Sequence, residues 1–182
     1  LLYVHSRAGD VLMSIVSKKI MMGAGAGVEL PSDDQFNRVS FLSHFDGANN
    51  GVNNAFDDGS ASNHTITANG NVSQGSFGPF ARPDGEFAVH FDAGGTYTCA
   101  ADADFAFGTG DFCMEAWVFV EADDYNYSRV FNFGPSYGTG DSHGISVDHA
   151  SNSHKIQYYD WGSSFFLYSS AATPRNIWFH VA

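Results

Sequence analysis

The sequence predicts an all-β domain of antiparallel strands, folded as a sandwich or barrel. Three observations lead there. Turn formers dominate the polar positions: the 182 residues include 20 Gly and 16 Asp, but only three Lys and four Glu. Helices are built from Glu, Lys, Leu and Ala, whereas Gly, Asp, Asn and Ser make turns. Aromatic residues reach 15%, with 17 Phe, and these suit a half-buried pleated surface. Short apolar stretches alternate at period two between the turns, and no helical period is sustained over ten residues. A chain this long supports one large domain, or one domain and a tail, and buries roughly 70% of its unfolded surface.

The elements follow in order. Val39–Phe45 is a strand with Val39, Phe41 and Ser43 on one face. Gly47–Ser62 is a long loop of Asn, Asp, Gly and Ser, and His64–Ala68 is a short strand after it. Gly70–Gly85 reads as a Gly/Pro-rich loop. Glu86–Asp92 sets Phe87, Val89 and Phe91 against Glu86, Ala88 and His90, and Thr96–Cys99 is a short strand. Phe112–Glu121 carries the strongest signal. Phe112, Met114, Ala116, Val118 and Val120 form an apolar face, and Cys113, Glu115, Trp117, Phe119 and Glu121 form the other. That second face is half aromatic, which is unlike plain solvent surface. Strands follow at Arg129–Phe133, Gly144–Val147, Lys155–Tyr159, Phe165–Tyr168 and Ile177–Ala182.

Residues 1–38 hold no sustained period and read as a flexible N-terminal segment. Met13 is the first methionine, so residues 1–12 read as lying upstream of the native start. The run Gly23-Ala24-Gly25-Ala26-Gly27 lacks the strand and the Gly-Lys-Ser/Thr of a phosphate loop, and reads as linker. The chain stops on Trp178-Phe179-His180-Val181-Ala182, an apolar strand with no turn after it. The expected domain is therefore 39–182, truncated on its C-terminal side.

Charge excludes some partners. Eight Lys and Arg against 20 Asp and Glu leave a formal charge of −12. Phosphate backbones are bound by Lys and Arg, so nucleic acid is not an expected partner. An anionic membrane surface is disfavoured for the same reason. No apolar stretch approaches the ~20 residues that span a bilayer, so no membrane insertion is expected.

Four stretches together resemble the laminin-G-like, concanavalin-A-like jelly rolls. The first is Leu42-Ser43-His44-Phe45-Asp46-Gly47, with Asp57-Asp58-Gly59-Ser60-Ala61-Ser62-Asn63-His64-Thr65 after it. The second is Val89-His90-Phe91-Asp92-Ala93-Gly94-Gly95-Thr96-Tyr97, similar to a Phe-Asp-Gly-x-x-Asp-Tyr hairpin. The third, Gly110-Asp111-Phe112-Cys113-Met114-Glu115-Ala116-Trp117-Val118, is similar to the family's Gly-x-Phe-Thr-x-Glu-x-Trp-Val strand. The fourth is Trp178-Phe179-His180-Val181-Ala182. Thr96, Cys99 and Cys113 depart from the family pattern. The Gly/Ala-rich N-terminus, Asp34-Gln35-Phe36-Asn37-Arg38 and Gly75-Ser76-Phe77-Gly78-Pro79-Phe80 resemble such proteins of marine bacteriophages.

The resemblance implies a non-catalytic carbohydrate-binding or adhesion module in a phage virion, in a tail or appendage, recognising host-surface glycan. Its location would be the virion or the extracellular space. Two other roles remain open: a structural virion domain that touches only other virion proteins, and a binding module of a larger secreted glycan-active enzyme. The residues argue against catalysis. Glu115 and Glu121 share a strand face but lie about 20 Å apart at strand rise, and glycoside hydrolysis needs a pair within about 10 Å. Neither Cys sits in a recognisable Cys/His motif.

Two sites are expected from residue chemistry. Asp57, Asp58 and Asn63 cluster in one Gly/Ser loop and offer the oxygens a structural Ca²⁺ takes. The same residues could instead form Asx turns that cap the loop. Trp117, Tyr158 and Trp161 are the candidate sugar contacts, because a pyranose presents an apolar face to an aromatic ring. Trp117 also reads as part of the second small core under the concave face of such a fold. Cys99 and Cys113 can pair only if their strands are neighbours, and free thiols are expected for a phage protein made in a reducing cytoplasm.

Overall fold

A computed structural model describes residues 2–7, 36–43, 45, 51–52, 56–75, 78–80, 88–91, 94–121, 128–134, 140–149 and 152–182. The strands in chain order are β1 (Leu2–Arg7), β2 (Val39–Ser43), β3 (Gly51–Val52), β4 (Ile66–Asn69), β5 (Val72–Gly75), β6 (Ala88–Phe91) and β7 (Thr96–Cys99). They continue as β8 (Asp111–Phe119), β9 (Ser128–Phe133), β10 (His143–His149), β11 (Lys155–Asp160), β12 (Phe165–Ala172) and β13 (Trp178–Val181). Among the described residues the helical elements are single 3-10 turns at Phe36–Arg38 and Ala103–Phe105. The chain is all-β and its ladders are antiparallel.

One four-stranded sheet runs β13-β8-β1-β2, and a second runs β12-β11-β10-β9. Smaller ladders join β3-β5-β6 and β4-β7. The second sheet is a meander, in which each strand pairs with its neighbour in sequence. Its β11–β12 reversal is held by Asp160, whose carboxylate accepts from the Ser163 amide at 3.2 Å and the Ser163 hydroxyl at 2.6 Å. Ser164 closes that turn with a left-handed φ of 56°.

The two sheets share a core. Phe41 of β2, Met114 and Ala116 of β8 and Val181 of β13 pack with Phe131 of β9 and Ile145 of β10. The alternation of β8 does this: Met114 and Ala116 face the core with half-buried Val118, while Cys113, Trp117 and Phe119 face away. Burying each such apolar side chain contributes roughly 1.5–3 kcal/mol, so this cluster is the main link between the layers. At one end the core becomes aromatic. Phe107 lies 5.2 Å from Phe133 and 4.8 Å from Phe112, and His143 stacks on Phe133 at 5.4 Å.

Tyr159 shows how the second sheet locks its register. It is fully buried and sits opposite Gly144, which in turn sits opposite Asn132. With no side chain on Gly144, the Tyr159 ring crosses β10. Its hydroxyl donates to Asn132 Oδ1 at 2.7 Å, with the Phe131 carbonyl oxygen at 3.1 Å. A Cβ on Gly144 would lie 2.1 Å from that carbonyl oxygen, so only glycine fits.

Three strands differ from the sequence expectation. Leu2–Arg7, expected within a flexible segment ahead of the domain, is β1, an interior strand of the first sheet. Its short Leu-Tyr-Val stretch is compatible with a strand, and both β2 and β8 offer it an edge. Val72–Gly75, expected as loop, is β5, because Val72 and Gln74 are buried at 1% exposure each. Gly51–Val52 adds β3 beside it. The Gly23–Gly27 run lies outside the described residues.

Candidate functional site

The Asp57–Asn63 loop is built around one carboxylate. Asp58 is 3% exposed. Its Oδ1 accepts from the amides of Leu42 and Ser60, each at 2.9 Å. Its Oδ2 accepts from the Ser60 hydroxyl at 2.8 Å and the His64 amide at 2.9 Å. A carboxylate has about four lone-pair positions, and here protein donors fill all four. Asp57 and Asn63 are exposed, and Asn63 takes a left-handed φ of 49°. A cation would have to displace amide donors from Asp58, so this donor set does not fit Ca²⁺. The carboxylate instead clamps the loop onto β2, helped by the Gly59 amide donating to the Leu42 carbonyl at 2.7 Å. Among the described residues no three His, Cys, Asp or Glu side chains form a metal-binding group.

The outer face of the first sheet is chemically richer. β13 runs antiparallel to β8 with His180 opposite Trp117 and Trp178 opposite Phe119. Alternation therefore puts Glu115, Trp117, Phe119, Trp178 and His180 on one face. The rings touch in two cross-strand pairs: Trp117 and His180 at 5.5 Å, and Phe119 and Trp178 at 5.6 Å. Phe80 comes from a loop to meet Trp117 edge to face at 5.3 Å. At the head of the row Glu115 is buried at 6% exposure, with Oε2 3.4 Å from His180 Nε2. Phe119 remains 40% exposed. This arrangement joins an apolar, ring-lined strip to a partly exposed imidazole backed by a buried carboxylate.

The three expected sugar contacts do not meet. Trp117 lies in this row. Tyr158 is on the inner face of the second sheet, in register with Ile145 on one side and Leu167 on the other. Burial, followed by the negative charge of Asp160, pushes its phenol above the usual range. It lines a groove of about 340 Å³ with Ile145, Ile156, Leu167, His180 and Val181. Trp161 stands in the β11–β12 turn and packs edge to face on Phe166 at 5.0 Å.

Sequence reasoning placed Trp178 and His180 on one strand but did not join them to Trp117. The alternation of Trp178-Phe179-His180-Val181 gave the face of each residue, but not which strand they pair with. The cysteines stay apart: Cys99 on β7 and Cys113 on β8 are both free. Burial raises both thiols above their ordinary range; the charge of Asp58 adds to this at Cys99, and that of Glu115 at Cys113. Neither is thus primed as a nucleophile. Comparison with protein-family models, curated proteins and solved structures finds no match to this chain.

Proposed function

We propose that the domain is a non-catalytic carbohydrate-binding module of the laminin-G-like jelly-roll kind, serving adhesion to host-surface glycan from a virion. The observation that supports this is the outer face of the first sheet. Trp117, Phe119, Trp178 and His180 form two cross-strand ring pairs beside the Glu115 carboxylate. A sugar would stack its apolar face on the rings and hydrogen-bond the partly exposed His180 imidazole, which stands 3.4 Å from the buried Glu115 carboxylate. Calorimetry against a panel of neutral and acidic polysaccharides tests it. Trp117→Ala is expected to weaken binding at least tenfold, about 1.4 kcal/mol. Equal binding by wild type and Trp117→Ala, or no binding to any polysaccharide, would refute the reading.

A second reading is a structural virion domain with no glycan of its own. It is favoured by Phe165 and Leu167, which share a face of β12 and remain 49% and 55% exposed. Apolar side chains exposed together suit contact with another protein.

A further inference from the structure

We propose that the gap between β2 and β8 is a strand-accepting slot, and that Leu2–Arg7 of one molecule can fill the slot of a second copy of the chain. The slot has to be filled. All five residues of β2 are buried, from Ser43 at 0% to Ser40 at 8% exposure. One side of β2 is tied to the Asp58 loop, through the Leu42 amide and carbonyl. Its other side pairs with β1, its only ladder partner among the described residues. An empty slot would leave the facing edges of β2 and β8 unpaired, and bare strand edges are costly.

The strand that fills it lies far from β2 in sequence. Antiparallel neighbours need only two to five residues to reverse. Residues 8–35 separate β1 from the turn that leads into β2. Fully extended, that many residues span at most roughly 90 Å, so sequence length alone lets β1 reach a second molecule. The advantage of a molecule's own strand over a second copy's falls as the number of connecting residues grows.

The pairing itself does not distinguish the two sources. β1 pairs with β8 without interruption from Leu2↔Ala116 to Arg7↔Asp111. The ladder to β2 shifts register between Val4 and His5. A strand arriving from a second copy would remake the same bonds. Reciprocal exchange then closes a two-fold dimer in which each domain keeps its native contacts.

The chain supplies its own reporter, because His5 and Cys113 are Cα partners. Antiparallel partners lie within the ~7 Å that a disulfide requires. Three full-length variants all carry Cys99→Ser. The first adds His5→Cys; the second adds His5→Cys and Cys113→Ser; the third has no further change. Oxidation of the first is expected to give a monomer with an internal disulfide. The second and third are unfolded together, refolded at rising concentration and oxidised. A covalent heterodimer joined between the introduced thiol and Cys113, mapped by peptide mass, is expected to rise with concentration. Internal disulfide with no heterodimer at any concentration overturns the exchange, and no internal disulfide overturns the slot. Sedimentation of the wild-type chain refolded at the same concentrations gives an independent readout: dimer is expected, and monomer throughout overturns the proposal.

Discussion

Replacing Asp58 is expected to cost more stability than any other surface-loop change in the described chain. The side chain carries four hydrogen bonds, three from backbone amides and one from a hydroxyl. In Asp58→Ala the His64 amide, next to exposed Asn63, can turn toward water, whereas Ser60 is enclosed at 7% exposure. The Leu42 amide cannot turn to water either, since it belongs to the buried strand β2. One orphaned buried amide costs about 1–3 kcal/mol, and bonds to a charged acceptor are worth about 1.5–3 kcal/mol each. A loss of about 3–5 kcal/mol follows, a large share of the roughly 5–15 kcal/mol that holds a domain together. With a urea slope of about 2 kcal/mol/M, the midpoint should fall by about 2 M. Asp58→Asn keeps the shape but turns an amide NH₂ toward two donors, so it should fall between Ala and wild type. Urea unfolding followed by Trp fluorescence reads all three. A midpoint shift under about 0.5 M for Asp58→Ala would refute the clamp. A wild-type midpoint that rises with Ca²⁺, and loses that rise in Asp58→Ala, would show the loop to be a cation site instead.

Three further outcomes can be checked. Gly144→Ala should destabilise by more than about 3 kcal/mol, because the new methyl meets the Phe131 carbonyl at 2.1 Å and pushes Tyr159 off Asn132; a thermal midpoint within a few degrees of wild type would contradict this. Cys99 and Cys113 should react with a thiol reagent at pH 7.5 at least tenfold more slowly in the folded protein than in urea, since burial keeps both protonated; equal rates would contradict it. The Ser163 hydroxyl, opposed by slight desolvation and helped by the Ser163 and Gly162 amides, holds Asp160 below the usual carboxylate range. A depressed carboxyl stabilises the fold above its unfolded titration, and that support is lost as pH falls through the folded value. Ser163→Ala should therefore raise the Asp160 titration by NMR and loosen the β11–β12 turn at pH 7 but not at pH 1.5. An unmoved titration would sink the assignment.

Period-two alternation carried most of the strand reading. Met114, Ala116 and Val118 against Cys113, Trp117 and Phe119 were separable into two faces, because a strand's side chains alternate whatever it pairs with. The strand Thr96–Cys99 was legible to its ends, since Gly94-Gly95 precedes it and Asp102 turns the chain soon after. β5 was not legible: Val72-Ser73-Gln74-Gly75 has little strand propensity of its own, and burial against its neighbours makes it a strand. The Asp57–Asn63 loop was legible as a cluster of oxygens. Whether Asp58 pointed outward to a cation or inward to amides depended on where the Leu42 amide lay, 16 residues away.

The sequence by itself determined the class, the strand faces and the sign of the charge, because propensity, period and ionisable groups are local properties. Tertiary structure alone decided which strands became neighbours. Register across a sheet depends on residues distant in the chain, so no local pattern could join His180 to Trp117 and Glu115, or send the Tyr159 ring across Gly144. Nor could it place Leu2–Arg7 between β2 and β8, where a strand is required by two open edges rather than by anything in its own six residues.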